Sequence, residues 1–192
     1  MPSQDQWNER YRRGDHSQLE PDPFLVASSD YWDLLPNPPG SRTAADLASG
    51  AGRHAVYLAE QNFITVAIDF SEVGLEFTQR RGADLDLSLT TQRLNLEASD
   101  LDLGSDRFDV ITVINFLHSP LFDVLKRALK PGGLVVYKTY TIDQLELPDG
   151  PKSPAYLLQP NELLGQFADY RVLRYEERMR GEGTAAIVAQ KP

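Results

Sequence analysis

The segment AADLASGAGRHAVYLAE, Ala44 to Glu60, joins a short apolar run to an amphipathic one through the glycine turn Gly50-Ala51-Gly52. The first run has the length of a buried strand, and the second places Ala55, Leu58 and Ala59 on one helical face. A strand that turns on glycines into a helix is the opening half of a βαβ unit, and ITVAID (64–69) supplies the next strand. The alternation continues. Ser71 is placed to cap a helix over EVGLEFTQRR that Gly82 can stop, and TQRLNL (91–96) is a weaker strand candidate. FDVITVI (108–114) is a strong strand, followed by a helix around LFDVLKRAL (121–129), a Pro131-Gly132-Gly133 turn and the strand LVVYKTYT (134–141). A proline-rich loop (Leu147 to Pro154) and a short helix near Asn161 to Phe167 precede YRVLRYEER and TAAIVAQK, two alternating runs that should pair antiparallel.

Continuous apolar strands between helices imply a parallel sheet covered on both faces. The expected fold is therefore α/β, a Rossmann-like, doubly wound, mostly parallel seven-stranded sheet with a C-terminal antiparallel strand pair. Ligands of such sheets bind beyond the carboxyl ends of the strands, where the Gly50 loop lies. Residues 1–43 read as an N-terminal extension, closed by the prolines of EPDPFLV and LLPNPPGS, and residues 44–192 as the ligand-binding domain.

Composition narrows the function. A formal charge of −9 repels phosphate backbones, so nucleic-acid substrates are not expected. The absence of cysteine removes disulfides, thiolate metal sites and a cysteine nucleophile, and no metal site is expected. No stretch approaches the roughly 20 apolar residues of a membrane span, and the N-terminus lacks a signal-peptide core, so a cytoplasmic protein without membrane association is expected.

Gly50, Gly52 and Ala55 also fit the G-x-G-x-x-G/A spacing of a dinucleotide site, which would make the chain an NAD-type oxidoreductase. Asp46, inside the first strand, argues otherwise: it would repel a pyrophosphate but can serve an ammonium group, directly or through water. Asp69 closes the second strand about 20 residues after the loop, where a carboxylate can bond vicinal ribose hydroxyls. Ammonium, carboxylate and ribose together describe S-adenosylmethionine.

DLASGAGRHAVYLA resembles the D-L-G-C-G-x-G-R motif of the class I S-adenosylmethionine-dependent methyltransferases, with Ala48 and Ser49 where Gly and Cys are usual. AIDFS resembles the strand that ends in the ribose-binding acid, and LKRALKPGGLVVYKTYT the segment around that family's L-K-P-G-G turn. QWNERYRRGDH, PDPFLV and the late proline-rich loop are most similar to the tellurite-resistance and thiopurine-methyltransferase-like group. The resemblance implies S-adenosylmethionine as cofactor, a small-molecule methyl acceptor and a monomer or homodimer. It implies cofactor contacts from Trp7, Tyr11, Asp46, Ala48, Gly50, Gly52, Asp69, Phe70, Asn95, Leu96, Ile114 and Asn115, with Trp7 and Tyr11 closing over the ligand. Asn95 stands where the family usually has an Asp facing the adenine amino group, and Asn115-Phe116 where thiopurine-type relatives often carry Arg.

Candidate catalytic residues are His118, after the fourth strand, and Tyr140, at the end of the fifth; His16 is a second neutral base near the mouth of the crevice, and His54 reads as structural. None lies in a recognisable base motif, which favours a soft nucleophile such as a thiol, selenium or tellurium species over a hydroxyl or amine. A cofactor-binding protein without catalysis is the alternative that the substitutions at Ala48, Asn95 and Asn115 leave open.

Overall fold

The structure, a computed structural model, describes residues 3–15, 18–179 and 181–192. His16 lies outside them. Seven strands form one sheet in the order β3-β2-β1-β4-β5-β7-β6. They are β1 (Thr43–Leu47), β2 (Ile64–Asp69), β3 (Leu89–Arg93), β4 (Phe108–Ile114), β5 (Leu129–Tyr140), β6 (Arg171–Arg178) and β7 (Thr184–Gln190). The first five run parallel, and β7 pairs antiparallel with both β5 and β6. The strand order reverses between β1 and β4, which opens a crevice at their carboxyl ends.

The helices are α1 (Gln4–Arg12), α2 (Pro23–Ala27), α3 (Arg53–Glu60), α4 (Glu72–Asp84), α5 (Leu121–Ala128) and α6 (Glu162–Gln166). On one face of the sheet, Leu121, Phe122 and Leu125 of α5 pack with Leu163 of α6, Phe167 and the strand side chains Ile111, Val113 and Tyr137. On the other, Phe24, Trp32, Leu58 and Phe63 cover Val110, Val136 and Val188. Burying both faces is why β4 is apolar along its whole length.

Local chemistry departs from the sequence expectation in three places. The helix after Ser71 does not stop at Gly82 but runs on to Asp84. Gly82 is there for closeness: a Cβ on it would lie 2.9 Å from a Leu89 methyl on β3. EPDPFLV is not all turn. Asp22 accepts the Phe24 N–H at 2.8 Å and Pro23 takes the first helical position, which starts α2. The Pro131-Gly132-Gly133 turn lies within β5 as an irregularity, the register moving from Phe108 opposite Leu129 to Val110 opposite Leu134.

A buried ionic network closes the amino-terminal end of the sheet. The Asp109 carboxylate accepts from Asn37, from the Thr43 amide at 2.7 Å, from the Thr43 hydroxyl and from Lys130 at 2.8 Å. Burial alone would raise its pKa, but the Lys130 ammonium, the Thr43 amide and Asn37 together hold it below the usual carboxylate value. Function is left to the opposite end.

Candidate functional site

The crevice is a cavity of about 1040 Å³, walled by the loops after β1, β2, β3, β4 and β5, by α1, and by the segment 150–156. Its floor is the glycine loop. Gly50 and Gly52 have φ values of 56° and 80°, and the reasons differ. A Cβ on Gly50 would lie 2.5 Å from the Tyr11 hydroxyl, so this glycine lets α1 settle on the loop. A Cβ on Gly52 would collide with Thr78, so Gly52 serves the packing of α4 beneath the loop and is not on the cavity wall.

Asp69 holds the loop in place. Its Oδ2 accepts the Gly50 N–H at 2.8 Å and its Oδ1 the Ser71 N–H at 2.7 Å. Burial raises its pKa against the opposing hydrogen bonds from Ser71 and Gly50. The carboxylate lines the cavity with Phe70, and its remaining lone pairs are available to a diol. Asp46 is lower. It is 1% exposed and absent from the wall, with Oδ1 accepting from the Thr112 hydroxyl at 2.9 Å and Oδ2 unpartnered. The parallel register that sets Asp46 beside Thr112 fixes this pair. Burial raises its pKa to about 7 despite the Thr112 bond. Any service to an ammonium group therefore passes through the loop above it.

Trp7, Tyr11, Ala48, Asn95, Leu96, Ile114, Asn115 and Tyr140 all stand on the wall. Leu96 and Ile114 are buried apolar surfaces suited to a flat ring. Asn95 spends its side-chain oxygen on the Glu97 N–H at 3.0 Å, which turns the loop and leaves its amide NH2 as the free donor. A donor suits an adenine ring nitrogen. Ala48 and Asn115 adopt left-handed backbone, φ 55° and 61°, where the chain leaves β1 and β4.

His118 is not on the wall. It precedes α5, where its carbonyl accepts the Leu121 N–H at 2.9 Å. Among the described residues the histidine that reaches the cavity is His54, which the sequence reading set aside. Burial, aided by the Arg53 charge, lowers its pKa to about 3.

Arg10, Ser49, Arg53 and Lys152 also line the cavity and were missed. The signals were present: Arg10 is three residues from Trp7 on the same helical face, and Arg53 follows Gly52 directly. α1 is docked through Asn8, whose side-chain oxygen accepts from the Ser71 hydroxyl at 2.7 Å, and through Tyr11, stacked against Trp7 with centroids 6.1 Å apart. Among the described residues no group of acids and histidines could hold a metal ion, and no helix is long and apolar enough to cross a membrane.

An acid at the end of β2 that lines the cavity, an orphaned buried carboxylate oxygen beneath the loop and an aromatic helix over the opening fit S-adenosylmethionine. The fold is the one that solved S-adenosylmethionine-dependent methyltransferase structures share. Residues 44–133 match the methyltransferase domain family, which indicates S-adenosylmethionine as the cofactor. The chain is 38% identical over 96 residues to a demethylmenaquinone methyltransferase of Clavibacter sepedonicus, covering 47% of this chain and 38% of that protein. It thus spans about two fifths of the length of the curated relatives it matches. Among solved structures it is similar to TehB from Haemophilus influenzae, with a TM-score of 0.73, 18% identity and coverage of 96% of this chain and 67% of that one. It also superposes on an S-adenosylmethionine-dependent methyltransferase from Aquifex aeolicus, with a TM-score of 0.69, 21% identity and coverage of 97% and 98%.

Proposed function

We propose that the protein transfers a methyl group from S-adenosylmethionine to a small-molecule acceptor that is a soft nucleophile: a thiol, or a selenium or tellurium species. Asp69 would hold the ribose, Asn95, Leu96 and Ile114 the adenine, and the Gly50 loop with Trp7 and Tyr11 the amino-acid end. When bound, the cofactor supplies the electrophilic methyl group on a sulfonium. The protein supplies alignment and exclusion of water, under the docked α1 helix.

The observation that carries the acceptor class is the state of His54. Among the described residues the histidine on the cavity wall is His54, whose pKa burial lowers to about 3, far below the value near neutrality that suits a general base. Tyr140, the other candidate, is pushed upward by burial and stays protonated. A thiolate needs neither. Its lone pair forms the new S–C bond as the methyl leaves the sulfonium, and the thiol proton goes to solvent before the transfer. The test is methyl transfer to a panel of thiols, selenite, tellurite, phenols and amines. Turnover should be highest with the thiols or chalcogen oxyanions, and His118→Ala should lower it by less than about tenfold, below the 10²-fold or more expected for a general base. A phenol or amine that turns over best, with activity lost in His118→Ala, would overturn the reading. Cofactor binding without turnover of any acceptor would favour the silent cofactor-binding alternative.

A further inference from the structure

The charge lining the cavity runs against the charge of the chain. The protein has 28 acidic and 19 basic side chains, yet the cations on the wall are Arg10, Arg53 and Lys152, and the acids are Asp69 and Glu97. Both acids belong to the nucleoside end, Asp69 at the close of β2 and Glu97 in the Asn95 turn. Around the carboxyl end of β5, where Thr139, Tyr140 and Tyr156 join the wall, no described carboxylate lines the cavity.

Of the three cations, Lys152 is already engaged: its ammonium donates to the Gln144 carbonyl at 3.0 Å and to the Leu147 carbonyl, fastening the 144–152 loop to itself. Arg10 lies on the lid, its guanidinium 4.8 Å from the centre of the Trp7 ring, beside the aromatic pair that covers the Gly50 loop. Arg53 stands apart. It donates through one nitrogen, Nη1, to the Gln18 side chain at 2.9 Å and the Glu20 carbonyl at 3.5 Å. Among the described residues it makes no ion pair, and it occupies the first position of α3, where the helix dipole disfavours a cation. Arg53 lines the cavity together with His54 and Gln18. Beside it His54 is 5% exposed, with Nε2 unpartnered. An anion entering here meets a half-used guanidinium and neutral donors.

We infer that the methyl acceptor carries a carboxylate, and that Arg53 holds this carboxylate in the cavity. The inference rests on the methyl-transfer reading above and adds the second functional group of the acceptor. Two guanidinium groups on the wall of one cavity match two carboxylates, the cofactor's at Arg10 and the acceptor's at Arg53. A planar fork with Nε and Nη2 open suits the two oxygens of a carboxylate.

Two thiols of similar size separate the possibilities: 3-mercaptopropionate, which carries the carboxylate, and 2-mercaptoethanol, which carries a hydroxyl. The wild-type protein should show a kcat/KM about tenfold or more higher for the acid, the scale of one charge-assisted pair. Arg53→Gln should bring that ratio to about one by raising KM for the acid, and Arg53→Lys should fall between. Calorimetry of S-adenosylmethionine should give the same Kd in wild type and Arg53→Gln. A wild-type protein indifferent to the carboxylate overturns the inference, as does an Arg53→Gln that loses cofactor affinity while keeping the preference. If neither thiol turns over, the soft-nucleophile reading fails separately, and propionate titrated into the protein saturated with S-adenosylhomocysteine decides the matter. Binding at least about tenfold weaker in Arg53→Gln supports the subsite, and equal binding in the two proteins overturns it.

Discussion

Replacing Asp46 by Asn should make the protein more stable, and the gain should grow with pH. The carboxyl is buried under the glycine loop with one oxygen unpartnered, and burial raises its pKa from 3.8 to about 7. The folded protein therefore binds this proton more tightly than the unfolded chain does. The stabilisation from that proton is complete below about pH 4 and is lost progressively as the pH rises through 7, after which it stays constant. A shift of about 3 units corresponds to about 4 kcal/mol. Asn has the same shape and no charge to desolvate. Urea unfolding of wild type and Asp46→Asn should thus differ by about 4 kcal/mol in favour of the variant at pH 8.5, and by less than about 2 kcal/mol at pH 5. Parallel pH profiles for the two proteins would refute the reasoning, because they would mean that the Asp46 proton is held equally in folded and unfolded states.

Asp69→Ala should act twice. Loss of the diol contact should weaken calorimetric binding of S-adenosylhomocysteine by about 2 to 3 kcal/mol. Loss of the acceptor for the Gly50 and Ser71 amides should also lower unfolding stability by about 1 to 3 kcal/mol, and an unchanged Kd would remove Asp69 from the ribose site. Ala48→Gly should stabilise the protein by about 1 kcal/mol, since an L residue at φ 55° carries a penalty that glycine does not; in calorimetric melting this should raise Tm by about 2 to 4 °C.

The parts of the fold legible in the sequence were those with a single physical author. FDVITVI coincides with β4 end for end because burial on both faces leaves one signal, uninterrupted apolar character. The Ser71 cap was legible because its hydroxyl acts three residues away, on the Gly74 N–H. The α2 helix was misread because proline marks a turn and also the first position of a helix, and only the Asp22 bond to Phe24 distinguishes them. That β7 inserts between β5 and β6 depends on edges that meet only in three dimensions. At the site, spacing located the loop, but depth did not follow from spacing. Asp46 and Gly52 flank Gly50 in the motif, yet the strand pleat puts one beneath the floor and Thr78 covers the other. The arginines escaped because a motif read for its glycines draws attention away from the charges beside them.

The meeting of α1 with the floor of the cavity has a kinetic consequence. Tyr11 rests where a side chain on Gly50 would be, a Cβ on Gly74 of α4 would lie 2.8 Å from the Gly50 carbonyl, and Asn8 bonds Ser71 at the start of α4. These contacts couple cover, floor and supporting helix, so the three should open together, with similar amide-exchange protection across α1, the Gly50 loop and the start of α4. A molecule enclosed there leaves when they open, so nucleosides that differ widely in affinity should depart at similar rates, their differences appearing in how fast each associates.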